Sequence, residues 1–197
     1  ALLNGQEWQT AAFRSAGGLD FLPFGELANE RDLDRLQQKL AQQSGWFRAQ
    51  LAGLQLDADT IVLCDCPRAY PALREQVLAR ADLVLLICGP DVVSYAYATQ
   101  MLANIKASPH GPESMIVLNA FEPTRRLDRD IAVLLRTGFK DRLSPAVLHR
   151  DEFLREALAC KQTIFEFAPS SQAAYDFAAL ATWVMARLGH TEATHAH

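Results

Sequence analysis

The sequence predicts an α/β fold: a mostly parallel sheet flanked by helices on both faces. Three observations carry this. Segments 60–65, 82–88 and 115–119 are strand-length apolar runs without polar alternation, as strands covered on both faces require. Stretches with helical spacing of apolar residues lie between them. Strands alternating with helices build a parallel sheet with helices on its faces.

Taken in order, residues 6–15 read as a short helix ending at Gly17-Gly18. Leu19 to Phe24 reads as a short strand, with Pro23 marking an edge or the strand end. Asn29 or Glu30 opens a long helix whose stripe is Leu33, Leu36, Leu40, Phe47, Leu51 and Leu54, with Gly45 kinking or dividing it. Strand 60–65, helix 71–80, strand 82–88, helix 92–107 and strand 115–119 follow. Helix 127–137 comes after a loop holding Pro123, and 146–149 is a short strand. Asp151 is the expected N-cap of a helix to Ala159, and 163–167 reads as extended. Pro169-Ser170-Ser171 opens a last helix to about 188, striped by Ala173, Phe177, Leu180, Ala181, Val184 and Leu188. Residues 189–197 read as a flexible tail, and 1–197 as a single α/β domain.

Composition narrows the function classes. Half of the 197 residues are apolar and 21% are charged, which suits a globular chain and not a disordered one. The net charge of −4 and the lack of a basic stripe argue against nucleic acid as a partner. No apolar run reaches the ~20 residues of a membrane helix, and no secretory signal opens the sequence. The expected location is the cytoplasm.

Candidate sites follow from strand ends, because ligands in open α/β sheets sit outside the carboxyl ends of the strands. Asp65 ends the run Ile61-Val-Leu-Cys64 and is placed to act on a metal or its bound water. Cys64 and Cys66 flank it, but a metal site wants a second pair and none follows, so they read as small apolar fillers. Arg125-Arg126 reads as a solvated pair. The His-rich end (His190, His195, His197) reads as a mobile terminus.

The runs Ile61-Val-Leu-Cys-Asp-Cys-Pro67, Ala81-Asp-Leu-Val-Leu-Leu-Ile87 and Ile116-Val-Leu-Asn119 resemble the MinD/ParA group of deviant-Walker ATPases. Phe165-Glu-Phe-Ala-Pro-Ser-Ser-Gln-Ala-Ala174 and Phe21-Leu-Pro-Phe-Gly-Glu26 narrow the likeness to the branch that serves bacterial cellulose biosynthesis. It spans roughly 6–189, and the order of the motifs is more specific than any one of them. The resemblance implies a P-loop NTPase-like fold with ATP and Mg²⁺ as cofactors. It makes Asp65 the catalytic Walker B aspartate, holding Mg²⁺ in the second shell through water. Pro67, with Arg68, becomes the turn that senses the γ-phosphate. Asn119 contacts adenine, and Pro169 and Ser170 lie against the base.

This sequence departs from the family pattern. It contains no Gly-x-x-x-x-Gly-Lys-[Ser/Thr], and Ala69 stands where the family has glycine. We expect the phosphate loop and the first strand to lie before Ala1. Two functions compete. One is a nucleotide-gated homodimer, an ATPase in the parent protein. It would join other cellulose-synthesis subunits peripherally at the inner membrane, with no transmembrane segment of its own. The other is a non-hydrolysing protein-interaction module of the same fold. Either way, residues 1–197 alone are expected to bind Mg-ATP weakly and to expose an apolar edge.

Overall fold

The computed structural model describes residues 2–4, 7–15, 17–27, 29–66, 70–106 and 111–195, without the side chains of Asn4 and 190–195. The chain falls into two compact units, Ala1–Arg80 and Ala81–His197.

In the first unit a 3-10 turn lies at Leu2–Asn4, and a second, Trp8–Ala11, stands in place of the expected helix 6–15. A two-residue antiparallel hairpin follows, β1 (Phe13–Arg14) with β2 (Asp20–Phe21). Helix spacing gives way here because Gly18, at φ 83°, turns the chain back on itself. Arg14 and Asp20 then pair across the hairpin at 2.6 Å, and Phe13 stacks on Phe21. The expected strand from Leu19 to Phe24 contracts to Asp20–Phe21.

Helix α1 (Glu30–Gln42) begins at Asn29, whose side chain accepts the Asp32 N–H at 3.1 Å. Gly45 divides the expected long helix, and α2 (Trp46–Gly53) follows. Helix α3 (Pro71–Leu78) opens on a proline whose missing N–H would be unpaired there anyway. Leu36, Leu40, Phe47 and Val77 are buried in this unit.

The break at Gly45 strands backbone groups that a continuous helix would pair. Buried Gln76 from α3 satisfies three of them. Its Nε2 donates to the carbonyls of Leu40 (2.7 Å) and Gln43 (3.0 Å), and its Oε1 accepts the Phe47 N–H at 2.9 Å.

Segment 60–65, expected as a central strand, is irregular chain with Ile61, Val62 and Leu63 exposed. A strand exists only by pairing, and the other strands described in this unit are the two-residue pieces paired to each other.

The second unit holds the parallel sheet: β3 (Leu83–Cys88), β4 (Glu113–Phe121) and β5 (Leu143–His149), in that order and with β4 in the middle. Segment 82–88, expected as a central member, flanks β4 in this sheet. Crossover helices α4 (Val92–Lys106) and α5 (Arg126–Phe139) join consecutive strands. Side chains alternate along β4. Ile116 and Leu118 pack with Ala98 and Leu102 of α4 and Ile131, Ala132 and Leu135 of α5. The opposite face carries Met115 and Val117, both buried. Helix α8 (Gln172–His195) serves that face, because Arg187 reaches Glu113 at 2.9 Å and the Met115 sulfur. Helices thus flank the sheet on both sides.

Four local expectations are corrected in this unit. Thr163–Phe167 is not extended; Ile164–Phe167 is a one-turn helix, α7. Thr163 and Glu166 cap each other's backbone N–H groups there, a signal legible as Thr-x-x-Glu. The N-cap of α6 (Phe153–Ala159) is Glu152 and not Asp151. Ala181 is exposed, and Ala174 joins Ala173 in the buried stripe of α8 instead. The backbone of α8 stays helical to His195, beyond the expected end near 188.

Candidate functional site

The carboxyl ends of the three parallel strands gather a polar rim in the second unit. At the end of β3, Asp91 accepts the Ser94 N–H at 2.8 Å and caps the start of α4. Gly89 stands beside it: a Cβ there would meet the Asp91 carboxylate at 2.8 Å, so a larger residue would have to displace that side chain. Cys88 is buried against this turn, and burial pushes its thiol up to about 11, so it remains protonated and unreactive at neutral pH.

At the end of β4, Asn119 is half-buried. Alternation puts it on the face of Met115 and Val117, which is the face α8 covers. Its side-chain amide has no hydrogen-bond partner among the described residues. Ala120 follows at φ 56°, a left-handed conformation that costs roughly 1–2 kcal/mol outside glycine. The strain sits in a register shift between Leu118 and Phe121, so β4 is irregular just after Asn119 before it ends at Phe121. Strained backbone of this kind concentrates at functional sites. Beyond it, the Asp128 carboxylate, itself buried, accepts the Glu122 N–H at 3.0 Å. The Thr124 hydroxyl and N–H hold the Glu122 carboxyl below its usual range.

At the end of β5, His149 stands opposite Phe121 and is bound to α8. Buried Asp176 accepts the His149 N–H at 2.7 Å and meets its Nδ1 at 2.9 Å. Gln172 donates to the other carboxylate oxygen at 2.8 Å. Asp151 ties α6 to α8, accepting from Phe153 and Ala173, both at 3.0 Å. These contacts bring the start of α8 to the carboxyl end of β5. The turn before it carries Pro169 and Ser170, both exposed, and closes through the Ser171 N–H to the Ala168 carbonyl at 3.0 Å. Ser171 then caps α8 by accepting the Ala174 N–H at 3.2 Å. Asn119 and the Pro169-Ser170 turn therefore share one rim and one face of the sheet.

Asp65 lies in the first unit, exposed, in the irregular chain after Leu63. Pro67, Arg68 and Ala69 lie outside the described residues. Partial desolvation raises the Cys64 and Cys66 thiols, which favours the protonated form over a thiolate ligand. Arg126 pairs loosely with Asp130 at 3.7 Å on the surface, as a solvated residue would. Among the described residues, no three His, Cys, Asp or Glu side chains converge as a metal cage. Magnesium carried on phosphates needs no such cage, and an oxygen donor such as Asp65 acting through water suits it. An amide and a turn backbone suit the edge of a purine base. The phosphates would need donors beyond this set.

Asp176, Asp128 and His149 were not singled out from the sequence. The available signal was Asp176 itself, a carboxylate inside the apolar stripe of the last helix. A carboxylate at a buried position demands partners.

Fold and rim together define an α/β protein of the open parallel-sheet class, with polar groups gathered at the strand carboxyl ends. The model of the family "Cellulose biosynthesis protein BcsQ" matches residues 1–185. Similar relatives include the cellulose biosynthesis protein BcsQ of Escherichia coli K12, 31% identical over 94% of this chain and 70% of that protein. The BcsQ of Salmonella typhimurium LT2 is likewise 31% identical, with the same two coverages. This chain belongs to the BcsQ family of cellulose biosynthesis proteins.

Proposed function

We propose that this chain is the core of a nucleotide-gated accessory factor of bacterial cellulose synthesis, an ATPase of the MinD/ParA kind in its parent protein. The observation that carries the reading is the shared rim of Asn119 and the Pro169-Ser170 turn, beside the strained Ala120. There Asn119 offers a donor and an acceptor to adenine, and the 168–171 turn offers backbone. Asp65 would hold Mg²⁺ through a water, and Pro67 would belong to the turn that senses the γ-phosphate. ATP with Mg²⁺ supplies the chemistry of phosphoryl transfer. Dimerisation on nucleotide is the output, read by other cellulose-synthesis subunits at the cytoplasmic side of the inner membrane. No described helix is long and apolar enough to cross a membrane, so such contacts would run through partners.

The test is nucleotide binding, turnover and sedimentation of the full reading frame. Asn119→Ala is expected to weaken ADP and ATP alike, by roughly tenfold for the lost amide hydrogen bonds. Asp65→Asn is expected to keep ADP affinity and lose hydrolysis. Residues 1–197 alone are expected to bind Mg-ATP weakly, because backbone and Lys donors of a phosphate loop supply most of the affinity. Wild-type binding and turnover in both variants would overturn the reading. A dimer indifferent to nucleotide would favour a non-hydrolysing interaction module.

A further inference from the structure

A concavity lies apart from the rim residues. A crevice of about 240 Å³ runs between α5 and β5, lined by Leu118, Ala132, Arg136, Lys140, Leu143, Ser144, Pro145 and Val147. Its floor is the apolar core: Leu118 and Ala132 belong to it, with Leu143 and Val147 packed against them. Its mouth holds two cations and no carboxylate, in a chain whose net charge is −4. Asp141 follows Lys140 in sequence but does not line the crevice. Neither Arg136 nor Lys140 has an ion-pair partner among the described residues.

Two further observations mark the place as built. Ser144 is 3% exposed, and its hydroxyl oxygen accepts the Ala146 N–H at 3.1 Å, which leaves its O–H free to donate. Lys140 sits at φ 43° at the end of α5, a strained position usually given to glycine. The side chain that glycine would lack is thus kept at the crevice mouth. A cation fork, a buried hydroxyl and an aliphatic floor are the complement of one chemistry.

We propose that this crevice binds a small amphiphilic anion, a carboxylate or phosphate monoester on a short aliphatic stem. The head meets Arg136, Lys140 and the Ser144 hydroxyl, and the stem lies on Leu118 and Val147. The volume is below the ~300–1,000 Å³ of sites for drug-sized ligands, which excludes a whole nucleotide. Such a head and stem can come from a free small acid or from an acidic residue beside a leucine in a peptide.

Residue-resolved NMR titration of the 197-residue chain tests this with hexanoate, hexyl phosphate, neutral hexanol and an acetylated Glu-Leu dipeptide amide. At least one anion is expected to shift the amides of Lys140, Ser144, Leu118 and Val147, with hexanol far weaker. Binding by the free acids alone assigns a small molecule; binding by the dipeptide alone assigns a peptide segment. The double variant R136Q/K140Q, at two exposed positions and checked for an unchanged fold by its amide spectrum, is expected to bind the anion at least about tenfold more weakly. S144A, read by the same titration, is expected to weaken the head-group contact. Equal binding of hexanol, unchanged affinity in R136Q/K140Q, or no shift with any probe up to roughly 10 mM would overturn the proposal.

Discussion

Ile61-Val62-Leu63 and Ile116-Val117-Leu118 are the same three residues in the same order. Their relative exposures are 43%, 44% and 83% in the first case and 0%, 0% and 2% in the second. The second run sits in β4, hydrogen-bonded on both sides to β3 and β5 and covered by helices on both faces. The first is irregular, unpaired chain in a unit of helices and one small hairpin. Local residue type therefore does not make a strand. Pairing and cover do, because an apolar run gains stability only from surface it removes from water.

That contrast predicts unequal penalties for equal deletions. Ile116→Ala is expected to lower unfolding free energy by about 2–5 kcal/mol, a transfer loss plus a cavity. Ile61→Ala is expected to stay within roughly 0.5 kcal/mol, as exposed substitutions do. Urea denaturation measures both, and similar values would break the comparison.

The next effect concerns buried polar groups, one in each unit. Asp176→Ala strands the His149 N–H and the Gln172 amide, and Gln76→Ala strands two carbonyls and the Phe47 N–H. Each is expected to cost about 1–3 kcal/mol for every group left without water or partner. A Gln76→Glu variant sharpens the point. It keeps an acceptor for the Phe47 N–H but buries a carboxylate against the Leu40 and Gln43 carbonyls, so near pH 7 it should melt no higher than Gln76→Ala.

The smallest effect is acid sensitivity at α7. The Thr163 N–H, then its hydroxyl, hold the Glu166 carboxyl below its ordinary range. A depressed carboxylate pKa contributes stability above the unfolded value, about 4.3, and loses it as pH falls through the folded value. Circular dichroism from pH 7 downward should show Glu166→Gln flattening the acid slope below about pH 4.3. An unchanged slope would mean that the capping box is idle.

Most of the second unit was legible because its signals agree. The runs 82–88 and 115–119 became β3 and β4, and Pro169 to Ser171 marked the start of α8; in the first unit, Gly45 marked the helix break. The segment 60–65 misled because its residues read as a strand while pairing is a property of neighbours that sequence does not name. Thr163 to Phe167 misled through β-branched and aromatic content, although Thr163 and Glu166 carried the correct helix signal. At the rim, Asn119 and Ser170 were readable as strand-end and helix-start residues. His149 was not, since its partner Asp176 lies 27 residues away in sequence and is brought to it by the crossover through α6 and α7.

Residue-resolved amide hydrogen exchange on the 197-residue chain tests the central contrast most directly. The account predicts that the amides of Ile116, Val117 and Leu118 exchange only with opening of the sheet. Those of Ile61, Val62 and Leu63 should exchange near unfolded rates, roughly a thousandfold faster or more. Equal, strong protection of both triplets would contradict it, by showing that residues 61–63 are paired in solution.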